Sequence, residues 1–145
     1  MLVGEVMTES VVTANPDAPV REIAELMRER NVGSVVLVRD GGAPVGFITD
    51  RDIALSVVAE GRTGEDRAAE HASSPVIKAE PDMEVEEASQ RMIRHAVRRL
   101  VVVSGGSVVG VVTLDDLSSR GLEPELSARV TRAALPEYLF HARGG

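Results

Sequence analysis

The chain has 145 residues, of which 43% are hydrophobic and 27% charged, a composition that predicts one ordinary globular domain and disfavours intrinsic disorder. It has no cysteine, which excludes thiol catalysis, cysteine metal sites and disulfide bonds. The net charge is −7 and the only aromatic residues are Phe47, Tyr138 and Phe140. Nucleic-acid binding is therefore disfavoured, because it usually needs basic charge and stacking rings.

The N-terminal segment has neither a basic start nor a long apolar core, and no apolar run approaches the roughly 20 residues of a membrane span. We therefore expect a cytoplasmic protein with no membrane association. The three histidines, His71, His95 and His141, share no ligand spacing, so no metal site is expected. No nucleophile elbow, Walker loop or dinucleotide fingerprint is present, which predicts that the protein is not an enzyme and holds no prosthetic group.

In chain order, the first half begins with a short helix or turn and an extended segment, followed by the turn residues Asn15-Pro16-Asp17. Apolar residues at Val20, Ile23 and Met27 then fall on one face of an amphipathic helix. Two strands joined by a short glycine turn should pair antiparallel, and a helix closes the half. The predicted segments are 3–8, 11–13, 20–28, 34–38, 44–48 and 49–59.

The second half is predicted to have the same order of elements, with segments at 65–71, 76–78, 83–95, 99–103 and 107–112 and a helix after Thr113. Beyond it, Leu122, Leu126, Val130 and Ala134 recur every four residues, which predicts a helical tail. Pro136 is expected to stop that helix. The tail, with Tyr138 and Phe140, is too apolar to be free, so it should either contribute to a dimer or pack on its own module.

The second half repeats the first at a nearly constant spacing. Pro16-Asp17 recurs 65 residues later as Pro81-Asp82, and Thr49 recurs 64 residues later as Thr113, because the first glycine turn is one residue longer. A repeat of about 60 residues is small for a self-sufficient core. The two copies are therefore expected to pack into one domain.

One strand-to-helix junction occurs twice in the sequence, as GFITDRDI (46–53) and GVVTLDDL (110–117). In each, an apolar run meets a Thr that can cap the following helix, and an Asp falls at the third helical position. Asp is one methylene shorter than the Glu or Gln of an ordinary capping box. The hydroxyl and the unpaired amides suit a phosphate, and the carboxylate suits two ribose hydroxyls, which predicts a small-ligand site. The alternative interpretation is that both pairs are only helix caps.

Several ordered motifs resemble the CBS (cystathionine β-synthase) domain: V-x-x-V-M-T at 3–8, V-V-T before N-P-D, M-R-E-R-N at 27–31, and the doubled G-h-h-T-x-x-D-h. The resemblance covers residues 1 to about 120, and short stand-alone bacterial CBS-pair proteins have a similar layout. It implies an α+β fold of two pseudo-symmetric repeats, each β-α-β-β-α, packed as one Bateman module with a C-terminal helical tail. We expect repeat 1 at 1–60, a linker at 61–66, repeat 2 at 67–121 and the tail at 122–145.

The same resemblance implies a regulatory adenine nucleotide (AMP, ADP, ATP or an adenosyl compound) in the cleft between the repeats. Phosphate and ribose would contact Thr49 with Asp52 and Thr113 with Asp116. The adenine would lie against the extended segments Val12, Thr13, Ala14, Ile77, Lys78 and Ala79. A homodimer and an unidentified protein partner are also implied. The alternative is a ligand-free CBS scaffold, a homodimer that acts in protein interaction or stress response.

The two implied sites differ in basic charge. Arg98 and Arg99 stand where the first repeat has Gly33-Ser34, and two guanidiniums could bind phosphate, whereas the first repeat offers only Arg51. The alternative is a solvated charge pair. We predict tighter phosphate binding in the second repeat.

The sequence also departs from the family's pattern at several positions. The acids Asp50 and Asp115 would repel a polyphosphate unless the arginines offset them. In the second repeat, HAS (71–73) replaces the expected V-M-T, and Val101 stands where Pro is usual. These departures should change the shape of the nucleotide pocket that the resemblance implies.

Overall fold

The computed structural model describes residues 1–120 and 124–144, with side chains over 1–120 and 124–134. The first half contains α1 (Val3–Val6), β1 (Thr13–Ala14), α2 (Val20–Arg30), β2 (Ser34–Arg39), β3 (Ala43–Thr49) and α3 (Asp50–Ile53). The second half contains β4 (Lys78–Ala79), α4 (Val85–His95), β5 (Arg99–Ser104), β6 (Ser107–Thr113), α5 (Leu114–Arg120) and α6 (Pro124–Gly144). Short 3₁₀ turns cover Asp40–Gly42 and Ala68–Glu70.

The chain forms two compact units. The N-terminal unit comprises residues 10–76 with 106–108, and the C-terminal unit comprises residues 1–9, 77–105 and the chain from Val109 onward. Each unit contains a three-stranded mixed sheet with helices, which confirms the predicted α+β fold of two repeats. The first nine residues therefore belong to the same unit as the second repeat.

The sheet of the N-terminal unit has the order β1-β2-β3. Strand β1 is parallel to β2, whereas β3 is antiparallel to β2, as the short glycine turn between them predicts. Ser34 pairs with Thr49, so the start of β2 lies beside the end of β3. The buried face of α2 consists of Val20, Ile23 and Met27, the apolar positions that the sequence places on one side of the helix.

The C-terminal unit has the sheet order β4-β5-β6 and a buried core to which both ends of the described chain contribute. From the N-terminus, the backbone N–H of Val3 donates to the carbonyl of Met83 at 2.8 Å, and Val3 and Val6 are buried. From α6, Val130 is fully buried and Leu126 packs against the same core. This half of the tail therefore packs on its own unit.

Three predicted helices differ from the structure. The segment predicted at 65–71 is helical only as the 3₁₀ turn Ala68–Glu70. Pro136 does not end the tail helix, which continues to Gly144, because an interior proline can kink a helix instead of breaking it. The helix predicted at 49–59 begins as α3 but continues as a π-helix over Ala54–Val58. Leu122 and the side chains of Tyr138 and Phe140 lie outside the described residues.

Candidate functional site

The predicted junction of the N-terminal unit is a closed capping box. Strand β3 ends at Thr49, and α3 starts at the next residue. The backbone N–H of Asp52 donates to Oγ1 of Thr49 at 3.1 Å, and the backbone N–H of Thr49 donates to Oδ2 of Asp52 at 2.8 Å. Asp is therefore long enough to complete the reciprocal pair here, which satisfies two of the donors that a helix start leaves unpaired.

The C-terminal unit has the same cap where β6 meets α5. The N–H of Asp116 donates to Oγ1 of Thr113 at 3.2 Å, and the N–H of Thr113 donates to Oδ2 of Asp116 at 2.8 Å. Both Thr and Asp side chains are half-buried in both units. The helix-cap interpretation is thus realised in both repeats.

The cap uses only part of each side chain. A Thr hydroxyl that accepts from a backbone N–H still has its own proton to donate, and a carboxylate bound through Oδ2 keeps Oδ1 as an acceptor. Each cap therefore leaves a hydroxyl donor and a carboxylate acceptor side by side, which is a suitable pair for the hydroxyls of a sugar.

The first backbone amide of each helix is less available than the sequence suggests. The N–H of Asp50 donates to the carbonyl of Gly33 at 2.9 Å, and the N–H of Leu114 donates to the carbonyl of Arg98 at 2.8 Å. In the N-terminal unit the N–H of Arg51 also donates to the carboxylate of Asp50. A phosphate at that loop would therefore need side-chain donors more than backbone amides.

The surroundings of the two caps differ in charge. In the N-terminal unit the Asp50 carboxylate lies over Gly33, where an added Cβ atom would be 3.1 Å from Oδ2. In the C-terminal unit the equivalent residues are Leu114, which is buried, and Arg98, which is exposed. The first loop therefore has Asp50 where the second has the apolar Leu114, and the second has Arg98 where the first has Gly33.

The other predicted contact residues lie in the same two sheets. The carbonyl of Val12 accepts from the N–H of Val36 at 3.0 Å, and the carbonyl of Ile77 accepts from the N–H of Val101 at 3.0 Å, so both extended segments pair in parallel with the central strand. Thr13 and Lys78 are exposed, whereas Ala79 is buried and Ala14 is half-buried. Arg51, Arg98 and Arg99 are all exposed.

Sequence reasoning missed a polar network beneath the first capping loop. Ser56 Oγ donates to the carbonyl of Asp52 at 2.6 Å and lies 2.9 Å from Nδ1 of His71, whose Nε2 lies 2.9 Å from Oδ2 of Asp66. Nε of Arg62 also donates to Asp66. The imidazole is only 6% exposed. The only sequence signal for this network is the replacement of V-M-T by HAS at 71–73, and that signal does not identify Ser56 or Asp66 as the residues that contact His71.

The electrostatics of this network centre on Asp66. Arg62, which donates to the carboxylate, and then His71 hold the pKa of Asp66 below its usual range. The Ser56 hydroxyl also bonds to the carbonyl four residues earlier, a contact that often bends a helix because it competes with the backbone. This coincides with the π-helical segment Ala54–Val58.

No group of three or more His, Cys, Asp or Glu side chains is arranged to hold a metal ion within the described part of the chain. In that same part, each helix is too short or too polar to cross a bilayer.

Comparisons with known proteins agree on the class that this fold and these loops define. The family model described as the CBS domain matches residues 3–59 and 68–123. The chain belongs to the CBS-domain family and is a tandem pair of these domains.

Three relatives illustrate the match. The CBS domain-containing protein YhcV of Bacillus subtilis is 39% identical over 123 residues, which cover 85% of this chain and 87% of YhcV. The CBS domain protein PAE2072 of Pyrobaculum aerophilum, solved in complex with AMP, superposes with a TM-score of 0.73 at 29% identity, over 91% of this chain and 99% of that one. The CBS domain pair of protein MJ0100, solved with 5′-methylthioadenosine and S-adenosyl-L-methionine, gives a TM-score of 0.72 at 28% identity, over 82% and 94%.

Proposed function

We propose that the protein is a non-catalytic regulatory module that binds an adenine nucleotide or adenosyl compound through its two Thr–Asp capping loops. The observation that carries the proposal is the duplicated cap, which leaves a hydroxyl and a carboxylate oxygen together at the end of a strand in each unit. The binding of AMP by PAE2072 and of adenosyl compounds by the MJ0100 pair supports this ligand class. Ligand occupancy would then be transmitted to a protein partner.

Within this proposal, the cap and the ligand site are compatible. The carboxylate holds the helix start with one oxygen and accepts a ribose hydroxyl with the other, so the loop is organised before the ligand arrives. Arg98 and Arg99 would add charge-assisted bonds to phosphate in the second repeat, and Arg51 would do so in the first. Val12–Ala14 and Ile77–Ala79 would provide the surfaces for adenine.

Thermal unfolding tests the proposal. With ligand at one hundred times its dissociation constant, linkage should raise the free energy of unfolding by roughly 2.7 kcal/mol. AMP, ADP, ATP and S-adenosyl-L-methionine should be compared with GMP, and the wild type with the Asp52→Ala/Asp116→Ala double variant. No shift with any adenine compound at millimolar concentration would contradict the proposal.

A second proposal, a homodimeric protein-interaction module, is favoured by exposed apolar residues on the π-helical segment. Val58 is 71% exposed and Leu55 is 38% exposed on the same short segment. Light scattering should show a dimer that Val58→Asp weakens and the exposed control Ala24→Asp, on α2, does not. Deletion of residues 122–145 is a poor test, because it would remove the buried Val130 from the core of its unit. A wild-type monomer at micromolar concentration would exclude the dimer.

A further inference from the structure

A continuous chain of hydrogen bonds joins the first capping loop to the segment that follows the first repeat. It runs from the Asp52 carbonyl through Ser56 Oγ and the His71 ring to the Asp66 carboxylate. We call residues 62–73 the strap. The strap is fixed at its far end, where Phe47 and Ser73 exchange two backbone hydrogen bonds of 3.1 and 2.8 Å. His71 is thus held between the strap and the helix that begins at Thr49.

The number of available protons decides which protonation form of His71 can make all of these hydrogen bonds. The Ser56 hydroxyl has one proton, and it lies within hydrogen-bonding distance of two acceptors if Nδ1 of His71 is unprotonated. When the ring carries both protons, Nδ1–H donates to Ser56, Nε2–H donates to Asp66, and the serine proton is left for the Asp52 carbonyl. Every bond is then made.

The Ser-His-Asp sequence of contacts is not arranged for nucleophilic catalysis. A backbone carbonyl 2.6 Å from Ser56 Oγ competes with the imidazole for the serine proton, which makes the imidazole a poor base for activating the hydroxyl. The network therefore has a structural effect on Asp52. It also exists in one repeat only, because Arg120 occupies the position equivalent to Ser56.

We propose that His71 is a positioning residue for the ligand site at Thr49 and Asp52, and that its protonation favours the ligand-competent arrangement of that loop. The inference rests on the proposed function, since it concerns the regulation of the same site. Protonated His71 directs the Ser56 proton to Asp52 and so fixes the first turn of the helix. Deprotonation lets Nδ1 compete for that proton. Adenine-nucleotide binding at the first repeat is then linked to proton uptake.

Charged groups on each neighbouring element affect the balance between the protonated and the deprotonated ring of His71. The strap carries Asp66 and Arg62, whose guanidinium pairs with Asp66, and Glu70 lies next to His71 in sequence. The helix contributes the Asp52 carboxylate, which is held by the Thr49 N–H. The Arg62 guanidinium lowers the pKa of Asp66, so this carboxylate is ionised and can pair with an imidazolium.

Calorimetric titration with AMP tests the inference. The titrations use the Asp116→Ala background, which weakens the other site. The ratio of the AMP affinity near pH 6 to that near pH 8.5 should be about fivefold higher with His71 than in the His71→Gln variant. Buffers of different ionisation enthalpy should show greater proton uptake for the histidine form. The comparison with His71→Gln cancels the titration of the AMP phosphate. Ser56→Ala should remove the effect and Ser56→Thr should restore it, whereas the exposed control His95→Gln should leave it unchanged.

The unliganded protein separates failure of this inference from failure of the proposed function. If AMP binds but the pH dependence is the same in His71→Gln, the inference is overturned. If none of the adenine compounds binds by titration or by thermal shift, the proposed function fails, and thermal unfolding of the unliganded protein still tests the network. Because the protonated ring completes the bonds in the folded state, the melting-temperature advantage over His71→Gln should be larger near pH 6 than near pH 8.5. An advantage that is equal at both pH values would overturn the inference.

Discussion

The helices that follow the two capping loops are held in different ways. After Thr113, α5 is anchored by apolar packing, since Leu114 and Leu117 are buried in the core of the C-terminal unit. After Thr49, the equivalent residues are Asp50, which is exposed, and Ile53, which is half-buried against the core of its unit. Val57 is buried as well, and the helix has an additional polar contact from Ser56 to His71. Closely similar caps can thus be supported by packing alone or by packing together with a polar network.

This difference suggests a division of roles between the repeats. A helix fixed by packing has one arrangement at any pH, whereas a helix fixed through an imidazole depends on protonation. The charge beside the cap differs as well, because Arg98 replaces Gly33 and Leu114 replaces Asp50. We therefore expect the second repeat to be the constant phosphate-preferring site and the first to be the responsive one.

The largest expected effect is on stability. Leu117→Ala should lower the free energy of unfolding by about 2 to 5 kcal/mol, because it leaves a cavity in a closed core. Its repeat partner Ile53 is half-buried, so Ile53→Ala should cost less. Urea denaturation of both variants measures the difference. Equal losses would show that packing supports the two helices alike.

The second prediction concerns the ligand. Asp116→Ala should weaken nucleotide binding roughly ten- to a hundredfold, since each lost ribose or charge-assisted bond is worth about 1.5 to 3 kcal/mol, and Asp52→Ala should weaken it less. Both variants should also lose about 1 kcal/mol of stability, because each removes one hydrogen bond of a closed capping box.

Calorimetric titration and thermal unfolding separate the two losses. Asp116→Asn is the matched control, because its amide oxygen can still accept from the Thr113 N–H while the charge is removed. Reduced stability with unchanged affinity in Asp116→Ala would mean that the carboxylate is only a cap. Equal affinity losses at Asp52 and Asp116 would mean that the two arginines do not distinguish the sites.

The features that sequence predicted well depend on local rules. The Thr–Asp caps follow from residue type at fixed spacing, and the antiparallel pairing of β2 with β3 follows from a turn too short for a crossover. The T-x-x-D pattern did not reveal how many of the helix-start amides are already paired, because their acceptors, such as the Gly33 carbonyl, come from a neighbouring strand.

The features that sequence missed depend on contacts between distant segments. His71 and Ser56 are 15 residues apart in sequence and are close in the fold, where the strap pairs with β3. The docking of residues 1–9 in the C-terminal unit depends on backbone hydrogen bonds such as the one from the Val3 N–H to the Met83 carbonyl, which no periodicity encodes. Extension of α6 through Pro136 likewise goes against a local rule.

The smallest expected effect lies at the ends of α2 and α4, which close with a residue in the left-handed conformation. Asn31 has φ 55° and Ala96 has φ 54°, and the next N–H in each case bonds to the carbonyl of Met27 or Met92 at 3.0 Å. Alanine is strained there because its Cβ approaches a carbonyl oxygen, whereas asparagine tolerates this region better and glycine adopts it freely. Ala96→Gly should therefore raise the free energy of unfolding by about 0.5 to 1 kcal/mol. Asn31→Gly should change it less, so a gain at Asn31 equal to the gain at Ala96 in urea denaturation would show that the two repeats carry the same backbone strain.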